Sequence, residues 1–472
     1  MKTTVRFGLA ILGIASALTI NNQAQADSWE RLADGPGGRA YHSTVFTGDE
    51  VIVWGGGRDG QFLADGGALD VSTKRWSPVA TVQAPSGRWF HTAVWTGEEM
   101  IVWGGRGSFY FSSHRVDGGR YDPEGNTWRL MSRSNAPSPR SQFATVWTGT
   151  EMIVWGGLSD SAQYLNDGGR YNPETDTWRR IAPAPVPPRF EPTGVWTGTE
   201  MIVFGGVTIS NYLGNEHWNS FGDGARYNPA TDTWTILNPQ GAPSSRTVHS
   251  AVWTGKEMLI WGGRFLNHPP ELSYPVAGAS YSPATDSWTP IPTLGAPEGR
   301  AGHAAVWNGQ DMIIWGGWTG PYNVPYLNTG AKYNPVTKTW TPTTLVGAPQ
   351  PRYFNVPNAA VWTGDAMFIY GGFDYPTSLN SAYLYHSPVA PPRSPIEDLL
   401  AELESLQLPR GVERPLAAAL EAALRSLEHG QQHAAVSQLQ AFQRKVEKQL
   451  QGDLADHLIA AAQAIIDSLN QR

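Results

Sequence analysis

A closed ring of seven four-stranded β-sheets followed by an α-helical bundle is the fold class this sequence predicts, and three observations predict it. A glycine pair ends an apolar run seven times: Gly55-Gly56, Gly104-Gly105, Gly156-Gly157, Gly205-Gly206, Gly262-Gly263, Gly316-Gly317 and Gly371-Gly372. The first glycines are 49, 52, 49, 57, 54 and 55 residues apart, a period that points to a ring of sheets. In five units a tryptophan follows a tyrosine by seven residues: Tyr121 and Trp128, Tyr171 and Trp178, Tyr227 and Trp234, Tyr281 and Trp288, Tyr333 and Trp340. Beyond Pro395 the tryptophans and glycine pairs stop and leucine and alanine take over at helical spacing.

The second unit shows how one sheet is written. His91 to Trp95 and Met100 to Trp103 are two apolar runs joined by Thr96-Gly97-Glu98-Glu99, the pattern of a β-hairpin. Met100 to Trp103 is apolar at every position, which suits a strand covered on both faces. After a variable loop, Gly118 to Tyr121, a turn on Asp122-Pro123, and Asn126 to Trp128 make a second hairpin. The unit therefore totals four strands. Blade-like regularity fails at both ends of the chain: the seventh unit has Tyr385, but Pro392 stands where its tryptophan belongs, while Ser28-Trp29-Glu30-Arg31 is a tryptophan strand without a unit. Placing that strand outermost in the seventh sheet completes the ring and leaves no open edge to slip.

Residues 1–26 have the form of a secretory signal. Lys2 and Arg6 precede an apolar stretch from Phe7 to Ile20, and Ala24-Gln25-Ala26 is a small-x-small cleavage pattern. Fourteen apolar residues are too few to span a bilayer, so the mature chain is expected to carry no transmembrane segment and to be exported, periplasmic or extracellular. Its charge would be −9, from 32 basic and 41 acidic residues, a balance that suggests no nucleic-acid partner. There is no cysteine. An exported protein of 472 residues with 21 tryptophans can depend on its core instead of disulfides.

Residues 387–395 read as a stiff proline-rich linker. Ser394, Pro395 and Glu397 have the spacing of a capping box with proline at the first helical position. Three apolar stripes follow within residues 396–472: Leu416, Leu420, Leu424 and Leu427; Val436, Leu439, Phe442, Val446 and Leu450; Leu454, Leu458, Ile459, Ile465, Ile466 and Leu469, with breaks at Gly430 and Gly452. They predict a three- or four-helix bundle. The alanine-rich pair around Gly430, with Ala441-Phe442, Val446 and the closing Ala461 to Leu469 helix, resembles the FIMAH domain, a module at the C-terminal end of secreted bacterial proteins. That resemblance implies an accessory role.

The apolar run, the glycine pair, the spaced tyrosine and the tryptophan resemble the kelch repeat family from about Trp29 to Tyr385. The resemblance implies an all-β, seven-bladed β-propeller over residues 27–386, with four-stranded blades around a central channel. WD40 repeats run shorter and need a Trp-Asp ending absent here.

An arginine precedes each first strand: Arg39, Arg88, Arg140, Arg189, Arg246, Arg300 and Arg352. Equivalent positions lie on a circle, so these should ring one end of the propeller near the channel mouth. In kelch propellers that bind peptides, arginines entering this strand line the binding face. Two readings are open: a collar that grips carboxylates in forked geometry, and a tie to carbonyls or a carboxylate of the adjoining blade. Three residues later stand His42, His91, His249 and His303, replaced by Phe143, Pro192 and Asn355 in the remaining blades. Spread around a ring, such histidines need not converge on one ion; a buried hydrogen bond is expected, with no metal and no cofactor.

The loops after the glycine pairs carry Phe109, Tyr110 and Phe111; Tyr164; Tyr212 and Trp218; Tyr274; and Trp318, Tyr322 and Tyr326. Aromatic loops on a rigid ring suit a glycan or a protein partner, and they can also fold back over blade edges. Blade four departs furthest from the repeat, with Phe190-Glu191-Pro192, so Glu191 beside Arg189 is the candidate acid or base. The expected function is non-catalytic binding of a protein or glycan. The alternative is a sugar-modifying enzyme of the sialic acid mutarotase type, since the copper site of galactose oxidase-like propellers depends on a cysteine this chain lacks. No phosphate loop, zinc motif or nucleophile elbow is present.

Overall fold

Met100–Trp103 is buried at all four positions, and it pairs on one side with Thr92–Trp95 and on the other with Gly118–Asp122. The outermost strand, Thr127–Leu130, buries only its tryptophan. This gradient from a wholly apolar second strand to a polar outer edge is what the sequence of the unit prescribes, and it recurs in seven four-stranded antiparallel sheets. The computed structural model describes residues 26–108, 113–212, 215–267, 271–320, 325–354, 359–387, 395–406, 408–428 and 431–470. The candidate signal segment up to Gln25, Phe109, Tyr110, Phe111, Tyr322, Asn355, most of the proline-rich linker with Ser394, and Gly430 lie outside the described residues.

The protein is a seven-bladed β-propeller with four C-terminal helices. Successive first strands, beginning with Ser43–Phe46, Thr92–Trp95 and Ala144–Trp147, touch around the centre, and Ala360–Trp362 meets Ser43–Phe46 to complete the circle. The seventh blade draws its outermost strand from the other end of the chain: Ser28–Arg31 pairs with Ala382–His386, with Trp29 opposite Tyr385. Trp29 then does what the tryptophans of the other blades do. Its ring lies 4.8 Å from Tyr385 of its own blade and 5.1 Å from Trp315 of the sixth, as Trp128 lies 5.1 Å from Tyr121 and 5.4 Å from Trp54. Its indole N–H donates to Thr344 C=O at 3.0 Å, as Trp128 donates to Ala80 and Trp340 to Pro292. Asp27 secures the end of the strand, accepting from Lys332 Nζ at 2.7 Å and Tyr385 Oη at 2.6 Å.

An eighth four-stranded sheet was not foreseen in the repeat. The loops after the glycine pairs of blades four and five form two hairpins, Val207–Tyr212 with Asn215–Ser220 and Phe265–Asn267 with Glu271–Ser273, joined where Asn219 pairs with Asn267. The helical unit begins beyond Pro388 and comprises α1 (Pro395–Ser405), α2 (Arg410–Glu428), α3 (Gln432–Gln449) and α4 (Asp453–Asn470). Leu399, Leu403, Leu416, Leu420, Leu439, Phe442, Val446, Leu458 and Ile466 form its core. Among the described residues no helix is long and apolar enough to cross a membrane.

Candidate functional site

The recurring arginine and the glycine pair form a single device. Each arginine donates from Nη1 to the carbonyl of the first glycine in its own blade: Arg39 to Gly55 at 3.1 Å, Arg88 to Gly104 at 2.9 Å, and so on around to Arg352 and Gly371 at 2.8 Å. The second glycine's N–H donates to the main-chain carbonyl of the next blade's arginine, as from Gly56 to Arg88 at 2.8 Å and from Gly372 back to Arg39 at 3.0 Å. Both glycines take left-handed φ, +69° and +90° in the first blade, and a Cβ on Gly56 would stand 2.6 Å from Ala40 O. Only glycine meets both demands.

This geometry corrects the anion-collar reading. All seven arginines, Arg39, Arg88, Arg140, Arg189, Arg246, Arg300 and Arg352, are 0–1% exposed. Asp65, Asp117, Asp167 and Asp223 engage the first four; the last three find only carbonyls and hydroxyls, and burial lowers their pKa to about 10. The side chain serves its own blade, not the adjoining one, and no ligand reaches it. Arg189 in particular turns to Asp223 and lies 4.0 Å over Phe221, so it is no partner of Glu191.

The histidines are interblade struts. His91, His249 and His303 hydrogen-bond through Nε2 to Ser43, Thr193 and Ser250 of the preceding blade at 2.8–2.9 Å. Each ring also packs edge-on against an aromatic of that blade, for example His303 on Trp261 at 5.4 Å, and Phe143 makes the same contact with Trp103 at 5.4 Å. His42 has no hydroxyl to meet and lies against Tyr370. Burial drives the pKa of all four down, to about 3 for His42 and His303. The unfolded chain therefore binds more protons below pH about 6.5, and stability present above that value falls as pH drops towards 3, by up to about 1.4 kcal/mol per pH unit for each histidine. His303→Phe is expected to keep the fold and flatten this acid slope by one proton; pH-dependent urea unfolding of the two proteins measures it, and an unchanged slope would show that His303 is not a buried neutral group.

Above this frame sits a ring that does not repeat. Two residues past the first six arginines stand Tyr41, Phe90, Gln142, Glu191, Val248 and Gly302, all with φ between +53° and +60°; Phe354 holds that place in the seventh blade without a positive φ. For non-glycine residues this region costs about 1–3 kcal/mol each, and for β-branched Val248 it is an outlier. Main-chain bonds across the blades hold the strain: Phe90 N–H to Tyr41 C=O (3.4 Å), Gln142 to Phe90 (3.3 Å), Glu191 to Gln142 (2.8 Å), then Gly302 to Val248 (3.1 Å) and Phe354 to Gly302 (2.9 Å). Among the described residues no such bond joins Val248 to Glu191. There the Glu191 carboxylate bridges instead, accepting from Gln142 Nε2 and Thr247 Oγ1, both at 2.7 Å.

Phe90, Gln142, Glu191 and Val248 line a cavity of about 150 Å³ at the head of the channel. Arg106 lies over the rings of Trp89 and Phe90 at 5.4 and 5.1 Å and interacts electrostatically with Tyr41 and Glu191. Arg264, bridged to Thr247 in the main chain, lies 5.8 Å from Trp218, and its Nε is buried without a hydrogen-bond partner among the described residues. Tyr41 packs 4.7 Å from Phe90, and burial pushes its pKa up to about 12. Of the sequence candidates, Glu191 lines the cavity, while Tyr326, stacked on Tyr353, and Trp218, beside Arg264, stand at its rim. Arg106, Arg264, Gln142, Thr247 and Tyr353 were missed: the two arginines are the only charged residues directly after a glycine pair, and the other three stand one or two residues past the repeated arginine, each unlike its counterparts in the other blades.

The loop aromatics mostly cover one another. Tyr164 stacks on Phe190 at 5.5 Å and donates to Ile209 C=O; Tyr274 donates to Gly320 C=O and meets Trp318 at 5.6 Å; Tyr326 stacks on Tyr353 at 5.8 Å. Trp318 is only 9% exposed, and Tyr212 lies on the added sheet. They brace the rim of the mouth more than they form a flat platform. A second polar line, Ser141 Oγ to His114 Nε2 and His114 Nδ1 to Asp160, each 2.9 Å, has the order of a hydrolytic triad. Ser141 is fully enclosed, so the line ties blade two to blade three and offers solvent no nucleophile. No cluster able to hold a metal occurs among the described residues.

The Attractin/LZTR1 β-propeller family profile matches residues 63–325, more than half of the 472 residues. Human kelch domain-containing protein 3 is 31% identical over 152 residues, 30% of this chain and 38% of its own length. The kelch-like protein terF of Aspergillus terreus is 30% identical over 217 residues, 43% of this chain and 44% of its own. Acyl-CoA-binding domain-containing protein 4 of Arabidopsis thaliana is 25% identical over 309 residues, 61% of this chain and 44% of its own. The chain spans about two fifths of the length of these relatives.

Proposed function

Since the chain belongs to the Attractin/LZTR1 β-propeller family of kelch-type propellers, we propose that it is an exported, non-catalytic binding protein that takes a protein or glycan ligand at the mouth of its channel. One observation carries this reading. The frame of arginines, glycine pairs and tryptophans repeats around the ring, whereas the six strained residues above it, Tyr41, Phe90, Gln142, Glu191, Val248 and Gly302, differ chemically from one another. Backbone strain kept at positions of non-repeating chemistry belongs to ligand sites.

Export is supported by the candidate signal segment and by the start of the closing strand at Ser28, just past the cleavage pattern. The four-helix unit, FIMAH-like in sequence, would supply an accessory contact. The mutarotase-type alternative has one foothold, the carboxylate of Glu191 in the cavity. Both its oxygens are already engaged, which favours positioning a ligand over moving a proton. A glycan array and a pull-down with the mature chain and its Phe90→Ala variant test the proposal. A ligand held by the first and lost at least about tenfold by the second, as removing a central aromatic anchor predicts, is the expected result. Catalysed sialic acid mutarotation with no retained ligand would overturn it.

A further inference from the structure

Resting on that reading, we propose that the mouth selects a terminal sugar residue bearing a carboxylate, of the uronic-acid kind. Among the described residues the main-chain ring is open at two places, between Phe354 and Tyr41 and between Glu191 and Val248, and the second, bridged by the Glu191 carboxylate, sets the site. The N–H of Val248 and the buried Nε of Arg264 are donors without partners among the described residues, and both belong to blade five, beside Thr247. Arg106 brings a second guanidinium to the same opening, held flat over Trp89 and Phe90. The orphaned Arg264 Nε and the free Val248 N–H ask for an anion with planar, multiply accepting oxygens, which a carboxylate supplies; the Arg106 charge, which already faces Glu191, adds to the attraction.

A carboxylate alone leaves the rest of the lining unused. Glu191 and Gln142 are locked together at 2.7 Å, so they present a fixed planar edge that can take hydroxyl donors and offer an amide donor in return. Tyr41, Phe90 and Trp89 pack against one another at 4.7–5.7 Å, an apolar wall of the kind that covers the C–H face of a sugar. The cavity of about 150 Å³ beneath has room for a ring-sized group. An acidic peptide would satisfy the arginines, but would set a second carboxylate or a bare methylene against Glu191.

Calorimetric titration of the mature chain with galacturonate, glucuronate, galactose, glucose and hexaglutamate tests this, with Arg264→Gln and Glu191→Gln compared and their melting temperatures checked. The uronates are expected to bind at least about tenfold more tightly than the neutral hexoses, the worth of a charge-assisted hydrogen bond. Arg264→Gln should erase that preference, and Glu191→Gln should weaken uronates and hexoses alike. If a variant does not fold, quenching of wild-type tryptophan fluorescence by uronate but not hexose gives the same reading, since Trp89 walls the site. Equal binding of hexoses, or binding of hexaglutamate alone, would overturn the uronate selection while leaving a ligand site at the mouth. Binding of no probe overturns the selection as well, and if Phe90→Ala also leaves captured ligands unaffected, the mouth itself is wrong.

Discussion

Removal of residues 27–37 is expected to lower the melting temperature, relative to a chain that starts at Asp27, by about 10 °C or more. Trp29 ties the seventh blade to the sixth: its ring contacts Tyr385 and Trp315, and its N–H bonds to Thr344. Truncating such a tryptophan to alanine costs about 3–5 kcal/mol. Deleting the strand also strips Ala382–His386 of its outer partner, leaves Lys332 and Tyr385 without Asp27, and opens an edge to other chains. Against a total stability of about 5–15 kcal/mol this is a large share, and each kcal/mol moves the midpoint by about 2–4 °C in domains of moderate size. Thermal unfolding followed by calorimetry measures it. An unchanged transition in the deleted protein would mean that the ring closes without its first strand.

Arg88→Met is expected to cost about 3–5 kcal/mol while leaving the affinity of the folded protein for its ligand unaltered. The substitution keeps the apolar stem but removes a guanidinium that serves Gly104 C=O, Asp117 C=O and Ser86 C=O at 2.8–2.9 Å. Asp117, whose side chain is 19% exposed, then loses the guanidinium that stands 2.9 Å away, and removing one member of a buried pair carries a penalty of that size. Lysine would not repair it, because a single ammonium cannot reach three carbonyls and a carboxylate in a fixed fork. Chemical denaturation with a binding titration on the same sample separates the two roles. Lost affinity at unchanged stability would restore the collar.

The contrast between these arginines and Glu191 shows what a repeat makes legible. Gly-Gly, Arg and Trp recur because each junction between blades poses the same steric and hydrogen-bonding problem, so seven copies of one solution announce both the blade count and, through the orphan Trp29, the closure. The direction of the arginine was not legible. Its side chain spans 16 residues to its own glycine carbonyl and its main chain joins the preceding blade, and sequence spacing alone cannot say which neighbour a long side chain serves. Of the cavity lining only Glu191 was legible, where the departure from the repeat was conspicuous. Arg106 and Arg264 sit in the first position after the glycine pair, where a loop of varied length begins, and their convergence depends on the circle bringing blades two and five to one opening. The added sheet of blades four and five escaped for a related reason: its two hairpins lie some fifty residues apart and meet only because adjacent blades do.

Hydrogen–deuterium exchange of the chain from Asp27 onward, with and without the ligand retained in the capture experiment, tests the central claim most directly. The account predicts that slowed exchange concentrates at Ala40–His42, Trp89–His91, Ser141–Phe143, Phe190–Pro192 and Thr247–His249, the segments that carry the strained ring and its neighbours. Protection confined to the turns at the other end of the blades, such as Thr47–Glu50 and Thr96–Glu99, or to the four helices, would contradict it.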